Sequence, residues 1–406
     1  MVFVYIVLAI ISLSGRTLSQ TAIESIDGFS VDLLKDTVEN GYGNIIMSPL
    51  SVSTLLGMVE VGARGNSKEE LRQALHYPSQ NPKFGVDAYK GILQGLTYRK
   101  GNSRSILEFA TQLYMSYQEY LYSNYQNVIS NNYLAEIRKI NFQDVNLSVN
   151  TINEMVKAAT KGKITSIIDS GAITPDTRLI LANEIYFHGI WERQFDKNRT
   201  TIESFVTDPT VSGRAIQTVN PNQVIQVSMM QQAGSFISGL DSELRAKWVH
   251  LPFDNKEFSM VLVLPTDDNG INELAKRLTK EHLNRIIRTR STHSVVLRVP
   301  RFKISNQLSL VNSLKRLGVQ DIFGPAADLR DMSKNKVFVN NILHKAEMEV
   351  NEEGSTAAAA SAVLVNTLSL STSEDLIFYA NQPFLVFLIQ NNPGIPLFVG
   401  RVTNPQ

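Results

Sequence analysis

The chain has 406 residues, of which 43% are hydrophobic and 19% charged, so it can bury one large core or two ordinary ones. Its 39 Lys and Arg residues against 38 Asp and Glu give a formal net charge of +1, which argues against a partner recognised by charge, whether nucleic acid or an anionic membrane. Cysteine is absent, which excludes disulfides, thiol catalysis and cysteine-based metal sites.

The first segment, Val2–Leu13, is apolar but too short to span a bilayer. Small and polar residues follow it, with a plausible signal peptidase site after Ser19. The sequence therefore predicts a signal peptide over residues 1–19, a secreted chain, and one mature domain over residues 20–406. A buried first helix is the alternative, and the absence of Lys or Arg at the start weakens the signal-peptide prediction slightly.

The first third of the chain has a helical pattern, with helices predicted over Ile23–Val38 and Pro49–Val61. A third helix is predicted to open at Ser67, because Ser67-Lys68-Glu69-Glu70 fits a capping box, in which serine and glutamate side chains bind free backbone amides. Gly and Pro are scattered, without a repeat or a linker that would divide the chain. A single domain is predicted.

Two N-glycosylation sequons follow, Asn146-Leu147-Ser148 and Asn198-Arg199-Thr200. They predict glycans on Asn146 and Asn198 and agree with export. Sequons are common by chance, so each is supporting evidence only.

Later segments change to strand-like lengths. In Val337–Val350, the clearest of them, Ile342 and His344 share an apolar face, while Lys345 and Glu347 take the other. A hydrogen-bonded core histidine is favoured for His344 over a catalytic base or metal ligand. The other predicted strands are Leu107–Tyr117, Arg178–Phe187, Phe258–Leu264, Val295–Val299 and Leu385–Ile389.

Enzyme motifs are absent from the sequence. No two of the six histidines have a metal-ligand spacing on one helix, and there is no His-Glu-x-x-His, Gly-x-Ser-x-Gly or phosphate loop. The carboxylate pairs Glu69/Glu70 and Asp267/Asp268 are interpreted as solvated surface, since paired acids catalyse only when buried. We predict no enzyme, no metal and no cofactor.

The most informative segment runs from Gly354 to Ser373 and contains no charge, proline or large aromatic residue. Alanine favours helix, but Gly354 permits a change of backbone direction, and the Ser, Thr and Val residues are compatible with a strand. A loose linker is the alternative. In extended form one face would carry only small or aliphatic side chains: Ser355, Ala357, Ala359, Ser361, Val363 and Val365.

From about Ile23 to Pro405 the chain resembles the serpins, a family of serine protease inhibitors. The segments that carry the resemblance are Asn44–Ser51, Leu181–Trp191, Leu343–Ala346, Phe378–Leu385 and Pro396–Pro405. The resemblance implies an α+β fold with three β-sheets, A, B and C, about eight or nine helices, and an exposed reactive-centre loop at about 352–380.

In this family the reactive-centre loop is the segment that a serine protease attacks as its substrate. After cleavage the loop is expected to insert into sheet A and to trap the acyl-enzyme. The partner implied is thus a serine protease. The chain itself is expected to be a monomer, with polymerisation as its mode of failure. A non-inhibitory serpin acting as a carrier or binding protein is the alternative. The implied hinge residues are Gly354, Ser355, Thr356, Ala357, Ala358, Ala359 and Ala360.

Two support clusters are implied by the same resemblance. The shutter, which controls opening of sheet A, comprises Ser48, Ser51, Asn183 and His344. The breach, at the top of that sheet, comprises Trp191, Arg301 and Glu352, and the arginine and the glutamate are expected to pair.

Family spacing puts the scissile bond fourteen positions after the hinge glycine, at Leu368-Ser369, with Leu370-Ser371 as the alternative. No Lys or Arg lies between Gly354 and Ala380, and a trypsin-like pocket requires a cation for its buried acid. A chymotrypsin-like or elastase-like target is predicted.

The chain departs from the family pattern in three places. Thr356 stands where an acidic residue is common and His188 where lysine is common; neither is expected to block insertion. The interval from Trp191 to Met229 is longer than usual, and its stretch 207–223, rich in Pro, Gly, Ser and Thr, is predicted to be a surface loop. The thin basic cluster at 99–104 does not support a heparin-like cofactor.

Overall fold

The computed structural model describes residues 2–97, 104–207, 224–267, 270–355 and 375–406. Nine α-helices lie in these ranges: α1 Val2–Asn40, α2 Pro49–Gly62, α3 Gly65–Ala74, α4 Phe84–Thr97, α5 Ser123–Asn132, α6 Val145–Ala159, α7 Gly270–Arg277, α8 Lys280–Arg288 and α9 Val311–Arg316. Of these helices, none has the length and apolar character needed to cross a membrane.

The predicted helices at 23–38 and 49–61 are confirmed as parts of α1 and α2. In the structure α1 also includes the predicted signal segment. Ser48 caps α2, because its hydroxyl accepts the Ser51 amide at 3.3 Å, and Pro49 takes the first helical position, where no amide is needed.

The predicted capping box at Ser67 is wrong. α3 begins at Gly65, and the Ser67 hydroxyl accepts the Asp328 amide at 3.0 Å. Glu70 accepts the amides of residues 320 and 321 at 2.8 and 2.9 Å. Both side chains therefore satisfy amides of a segment packed on the helix, a partnership that a local motif cannot reveal.

Fifteen strands are found in the described residues: β1 Ile45–Met47, β2 Ile106–Ser116, β3 Glu136–Ile140, β4 Leu179–Ile190, β5 Thr201–Val206, β6 Val224–Asp241, β7 Ala246–Pro252, β8 Phe258–Pro265, β9 Thr292–Pro300, β10 Phe302–Ser309, β11 Asn341–Val350, β12 Gly354–Ser355, β13 Leu376–Tyr379, β14 Phe384–Gln390 and β15 Ile395–Val402. Each predicted strand is present. β11 starts four residues later than predicted, because Val339 binds the Ile322 carbonyl rather than a neighbouring strand.

The strands form two separate β-sheets, one of six strands and one of nine. The predicted α+β class is confirmed. Sheet A has the order β10-β11-β4-β2-β3, with β12 added to β4. The larger sheet has the order β1-β15-β14-β8-β7-β6-β9-β13, with β5 added to β6. The long strand β6 pairs with β5 and β9 through residues 224–237 and with β7 through residues 238–241, so the described residues form one continuous sheet where separate sheets B and C were expected.

In sheet A the pairing between the central strands β4 and β11 is incomplete. We call the boundary between these two strands the seam. β11 pairs in parallel with β4 only as far as Glu347 opposite Tyr186. Further along, β4 pairs instead with the short antiparallel strand β12. On one side of the sheet α6 packs over a second core cluster that includes Ile180, Ala182 and Leu343. This packing explains why Leu343 is buried although it lies on the charged face of β11.

The larger sheet is closed by β15, which lies between β1 and β14. All eight residues of β15 are buried. Arg401 on this strand donates to the carbonyls of Val38, Gly41 and Gly43 at 2.8, 2.6 and 2.9 Å. The end of the described chain is thereby joined to the first helix and strand.

Candidate functional site

The predicted site residues fall partly within the described ranges. Gly354, the backbone of Ser355, and every shutter and breach residue are described. The scissile-bond candidates Leu368, Ser369, Leu370 and Ser371, and the hinge residues Thr356, Ala357, Ala358, Ala359 and Ala360, lie outside the described residues, as does most of the predicted insertion 207–223.

The hinge starts as a strand already paired with sheet A. Gly354 lies opposite Ile190 and Ser355 opposite Gly189. Gly354 has a φ of +153°, and a Cβ there would lie 2.0 Å from the Gly189 carbonyl oxygen. The Asn351 side chain accepts the amides of Glu353 and Gly354 at 3.0 and 3.2 Å. A glycine is therefore required where the chain turns into the seam.

Glu352 is buried, with 2% of its surface exposed. Its Oε1 accepts Arg301 Nε at 2.7 Å and the Thr200 hydroxyl at 2.5 Å. Burial alone would raise the pKa of Glu352, but these hydrogen bonds outweigh it and hold the pKa below its ordinary value. The Glu352 carbonyl accepts the Phe195 amide at 2.9 Å. The carboxylate thus ties the approach to the hinge to the junction of β9 and β10 and to the segment after β4.

Trp191 holds the same segment from the end of β4. Its indole Nε1 donates to the Asn351 carbonyl at 2.9 Å, and its amide donates to the Glu353 carbonyl at 3.0 Å. The ring stacks on Phe253 with centroids 4.3 Å apart. Glu353, itself buried, forms an ion pair with Lys197. Residues 351–354 are therefore held by two backbone amides, of Trp191 and Phe195, and by the side chains of Trp191, Lys197, Thr200 and Arg301.

Sequence reasoning missed part of this cluster. Lys197, Thr200 and Glu353 carry no motif for it, and Thr200 was interpreted only as part of a sequon. Their partners are more than 150 residues away in the chain, so no local pattern identifies them. The only available signal was the adjacency of Glu353 to the predicted breach residue Glu352.

The four predicted shutter residues lie together where the start of α2 meets sheet A. His344 is fully buried, and its Nε2 accepts the Ser48 amide at 2.9 Å. Asn183 lies directly opposite His344 on β4 and donates to the Thr111 hydroxyl at 3.2 Å. Burial lowers the pKa of His344 to about 4, with the Asn183 backbone partly opposing the shift. The imidazole is neutral at pH 7 and joins α2 to sheet A, as expected of a core histidine.

Glu184 on β4 is a feature that sequence reasoning missed. It is fully buried, and neither carboxyl oxygen has a hydrogen-bond partner among the described residues. Burial raises the pKa of Glu184 to about 8. Because side chains alternate along a strand, Glu184 shares the α6 side of the sheet with Ile180 and Ala182.

One group in the described residues has a spacing that suits a metal ion, namely Asp241, Glu243 and His282, whose ligand atoms lie within 4.8 Å of one another. Arg285 donates to both carboxylates at 2.7 and 3.0 Å. A cation is thus already supplied by the chain, and the group is an ion-pair network.

Both sequon asparagines are exposed. Asn146 lies in the first turn of α6, and Asn198 lies in a short 3-10 turn over Lys197–Arg199. Each position is accessible to a modifying enzyme, and whether it carries a glycan stays a prediction.

Comparison of the chain with known proteins identifies its family. The family model described as Serpin (serine protease inhibitor) matches residues 24–405. The human leukocyte elastase inhibitor is 33% identical over 389 residues, covering 93% of this chain and 97% of the relative. Intracellular coagulation inhibitor 2 of Tachypleus tridentatus is 31% identical, covering 93% and 90%.

Solved structures agree with the sequence relatives. Serpin-12 of Manduca sexta superposes with a TM-score of 0.81 at 26% identity, covering 94% of this chain and 98% of that one. Thyroxine-binding globulin in complex with thyroxine gives 0.81 at 25% identity, covering 94% and 99%. The seam, the hinge glycine and the residues that hold it therefore lie in a chain that belongs to the serpin family.

Proposed function

We propose that this protein inhibits a serine protease as a suicide substrate: the protease cleaves the reactive-centre loop, which inserts between β4 and β11 and traps the acyl-enzyme. The observation that carries the proposal is the pairing of β12 with β4. This pairing is the first part of the strand that insertion would complete. It lies at the end of the seam where β11 no longer pairs with β4.

The observed register makes the proposal specific. Continued in step from Gly354 opposite Ile190, the pairing would bring Ala357 opposite Phe187 and Ala359 opposite Ile185. Phe187 and Ile185 belong to the main core. The face that enters the core is thus the set of small and aliphatic side chains identified from the sequence, and none of them brings a buried charge.

The target is proposed to be chymotrypsin-like or elastase-like, with cleavage at Leu368-Ser369 or, as the alternative, Leu370-Ser371. The absence of Lys and Arg between Gly354 and Ala380 supports an apolar pocket in the protease. Relatives named leukocyte elastase inhibitor, from human and pig, agree with this class.

We also infer secretion as a monomer, with the signal peptide at 1–19. Exposed sequons at Asn146 and Asn198 support it, while the name of one relative, Intracellular coagulation inhibitor 2, points the other way. Expression of the full chain in insect cells tests this inference. A secreted product that starts at Gln20 supports it, and a product confined to the lysate with Met1 intact contradicts it.

The test of inhibition is incubation with chymotrypsin, elastase and trypsin. We expect a complex with one of the first two enzymes that survives boiling in detergent, and a released peptide that starts at Ser369. A matched pair of variants tests the register. Ala357→Glu places a charge on the core-facing side and should convert the inhibitor into a substrate, whereas Thr356→Glu, one residue earlier, should leave complex formation intact. Equal behaviour of the two variants contradicts the proposed insertion.

A carrier or binding protein is the second candidate, favoured by the similarity to thyroxine-binding globulin in complex with thyroxine. It predicts plain cleavage of the loop without any stable complex.

A further inference from the structure

A cleft lies where β6 passes from pairing with β9 to pairing with β7, and the breach residue Trp191 lines one side of it. Its volume is about 690 Å³, within the range of about 300–1,000 Å³ typical of small-molecule sites. Trp191, Phe236 and Leu251 line it and are buried, with 2, 7 and 2% of their surfaces exposed. The cleft thus offers an apolar, partly aromatic floor.

Two arginines at the rim of this cleft lack a carboxylate partner. Arg193 and Arg290 line it and are exposed, and neither forms an ion pair with any acid in the described part of the chain. Lys256 and Glu192 also line the cleft, but they pair with each other at 2.9 Å. The cleft therefore carries two uncompensated positive charges.

The positions of both guanidinium groups are held by backbone carbonyls. Arg193 Nη1 donates to the Ala233 carbonyl at 3.1 Å, and Arg290 Nη2 donates to the Asn391 carbonyl at 3.1 Å. Arg193 lies directly over Gly234, where a Cβ would come within 2.0 Å of Nη1. The missing side chain on β6 is what lets this guanidinium lie against the strand.

The cleft contains a further unsatisfied polar atom. Gln232 lines it, and its Oε1 is buried without a hydrogen-bond partner among the described residues. A bound molecule that carries a hydrogen-bond donor would satisfy it. The polar groups thus favour a ligand with an anionic head and an apolar body, rather than a hydrocarbon or a polyanion.

We propose that this cleft binds a small amphipathic carboxylate. The apolar body of the ligand lies against Trp191 and Phe236, and the carboxylate binds Arg193 and Arg290, whose planar donor pairs match its two oxygens. Trp191 also contacts Asn351 and Glu353 beside the hinge, but binding of the carboxylate is measured without a protease, so the test does not depend on whether the protein inhibits one.

The test uses the tryptophan in the floor as reporter. The chain has two tryptophans, so Trp248→Phe leaves Trp191 as the only one. We expect 6-phenylhexanoate to change the Trp191 emission and to bind, by calorimetry on the unmodified chain, at least about tenfold more tightly than 6-phenylhexanol, since one charge-assisted pair contributes about that factor. Equal affinity of acid and alcohol overturns the proposal.

Variants separate charge from position. Arg193→Gln with Arg290→Gln should weaken binding of the acid by about a hundredfold, about tenfold for each arginine, and should leave the alcohol unaffected. Gly234→Ala, which displaces the Arg193 guanidinium without removing its charge, should give part of that loss. Lys90→Gln, an exposed cation on α4 outside the cleft, is the control. Unchanged affinity for the acid in the double variant overturns the proposal.

Discussion

At the scale of single residues, Gly354 brings the start of the hinge against β4. Its φ of +153° and the 2.0 Å approach that a Cβ would make to the Gly189 oxygen leave no room for a side chain. We expect Gly354→Ala to detach β12 at a cost of about 1–3 kcal/mol. Hydrogen exchange at the Trp191 amide, which binds the Glu353 carbonyl, should become faster.

The control for that substitution is Gly43→Ala. Gly43 also has a positive φ, of +67°, but a Cβ there would meet nothing within 4 Å. It places a side chain at a positive φ without the collision. If Gly43→Ala accelerates Trp191 exchange as much as Gly354→Ala does, the close approach to β4 is not what holds the hinge.

Glu352 carries the second prediction at this scale. Glu352→Lys places a cation in a buried position beside Arg301, where the carboxylate now accepts two donors. We expect a loss of about 3–5 kcal/mol in the free energy of unfolding and oligomers on a sizing column. Glu349→Lys is the matched control, because Glu349 is partly exposed and lies 3.6 Å from Lys303; it should cost less than about 1 kcal/mol. Unchanged melting and no oligomers for Glu352→Lys would refute the prediction.

At the scale of elements, the packing of α6 on sheet A contains a buried acid, Glu184. Its pKa of about 8 in the folded chain lies above the ordinary 4.5, so the folded state keeps a proton that the unfolded state releases between these values. Its contribution to stability is therefore greatest at low pH and falls as the pH rises from 4.5 to 8. His344, with a pKa of about 4, acts in the opposite direction between about 4 and 6.5.

The window from pH 6.5 to 8 separates the two effects. There the His344 contribution is constant, and we expect the melting temperature of the unmodified chain to fall as pH rises. Glu184→Gln keeps the shape of the side chain without its proton equilibrium, and should flatten that fall and melt higher at pH 8. An identical pH profile for the parent and the variant would show that Glu184 does not titrate in this window.

The sequence predicted helices and strands better than it predicted which side chains from distant segments bind each other. Alternation along β11 was enough to place His344 in the core, because burial of one face is a property of the strand itself. The capping box at Ser67 failed because its side chains bind a segment some 250 residues away. The Lys197–Glu353 pair and the buried Glu184 were missed for the same reason: each depends on which elements meet.

At the scale of the whole molecule, insertion of the loop should stabilise the cleaved chain. If about a dozen residues gain ladder hydrogen bonds at roughly 1 kcal/mol each, the gain is on the order of ten kcal/mol. We expect the guanidinium midpoint to rise sharply after cleavage of the loop and removal of the protease. Cleaved Ala357→Glu should stay near the midpoint of the intact chain. Equal midpoints for the cleaved and intact parent would contradict insertion.

The position of β15 has a consequence for how the protein is made. β15 fills the place between β1 and β14, yet it follows every other described strand along the chain. During synthesis the larger sheet therefore stays incomplete, with β1 unpaired and one edge of β14 open, until β15 leaves the ribosome. Closure of this sheet therefore cannot precede the synthesis of β15. A pause or an early stop before residue 395 leaves two open edges for another nascent chain to occupy.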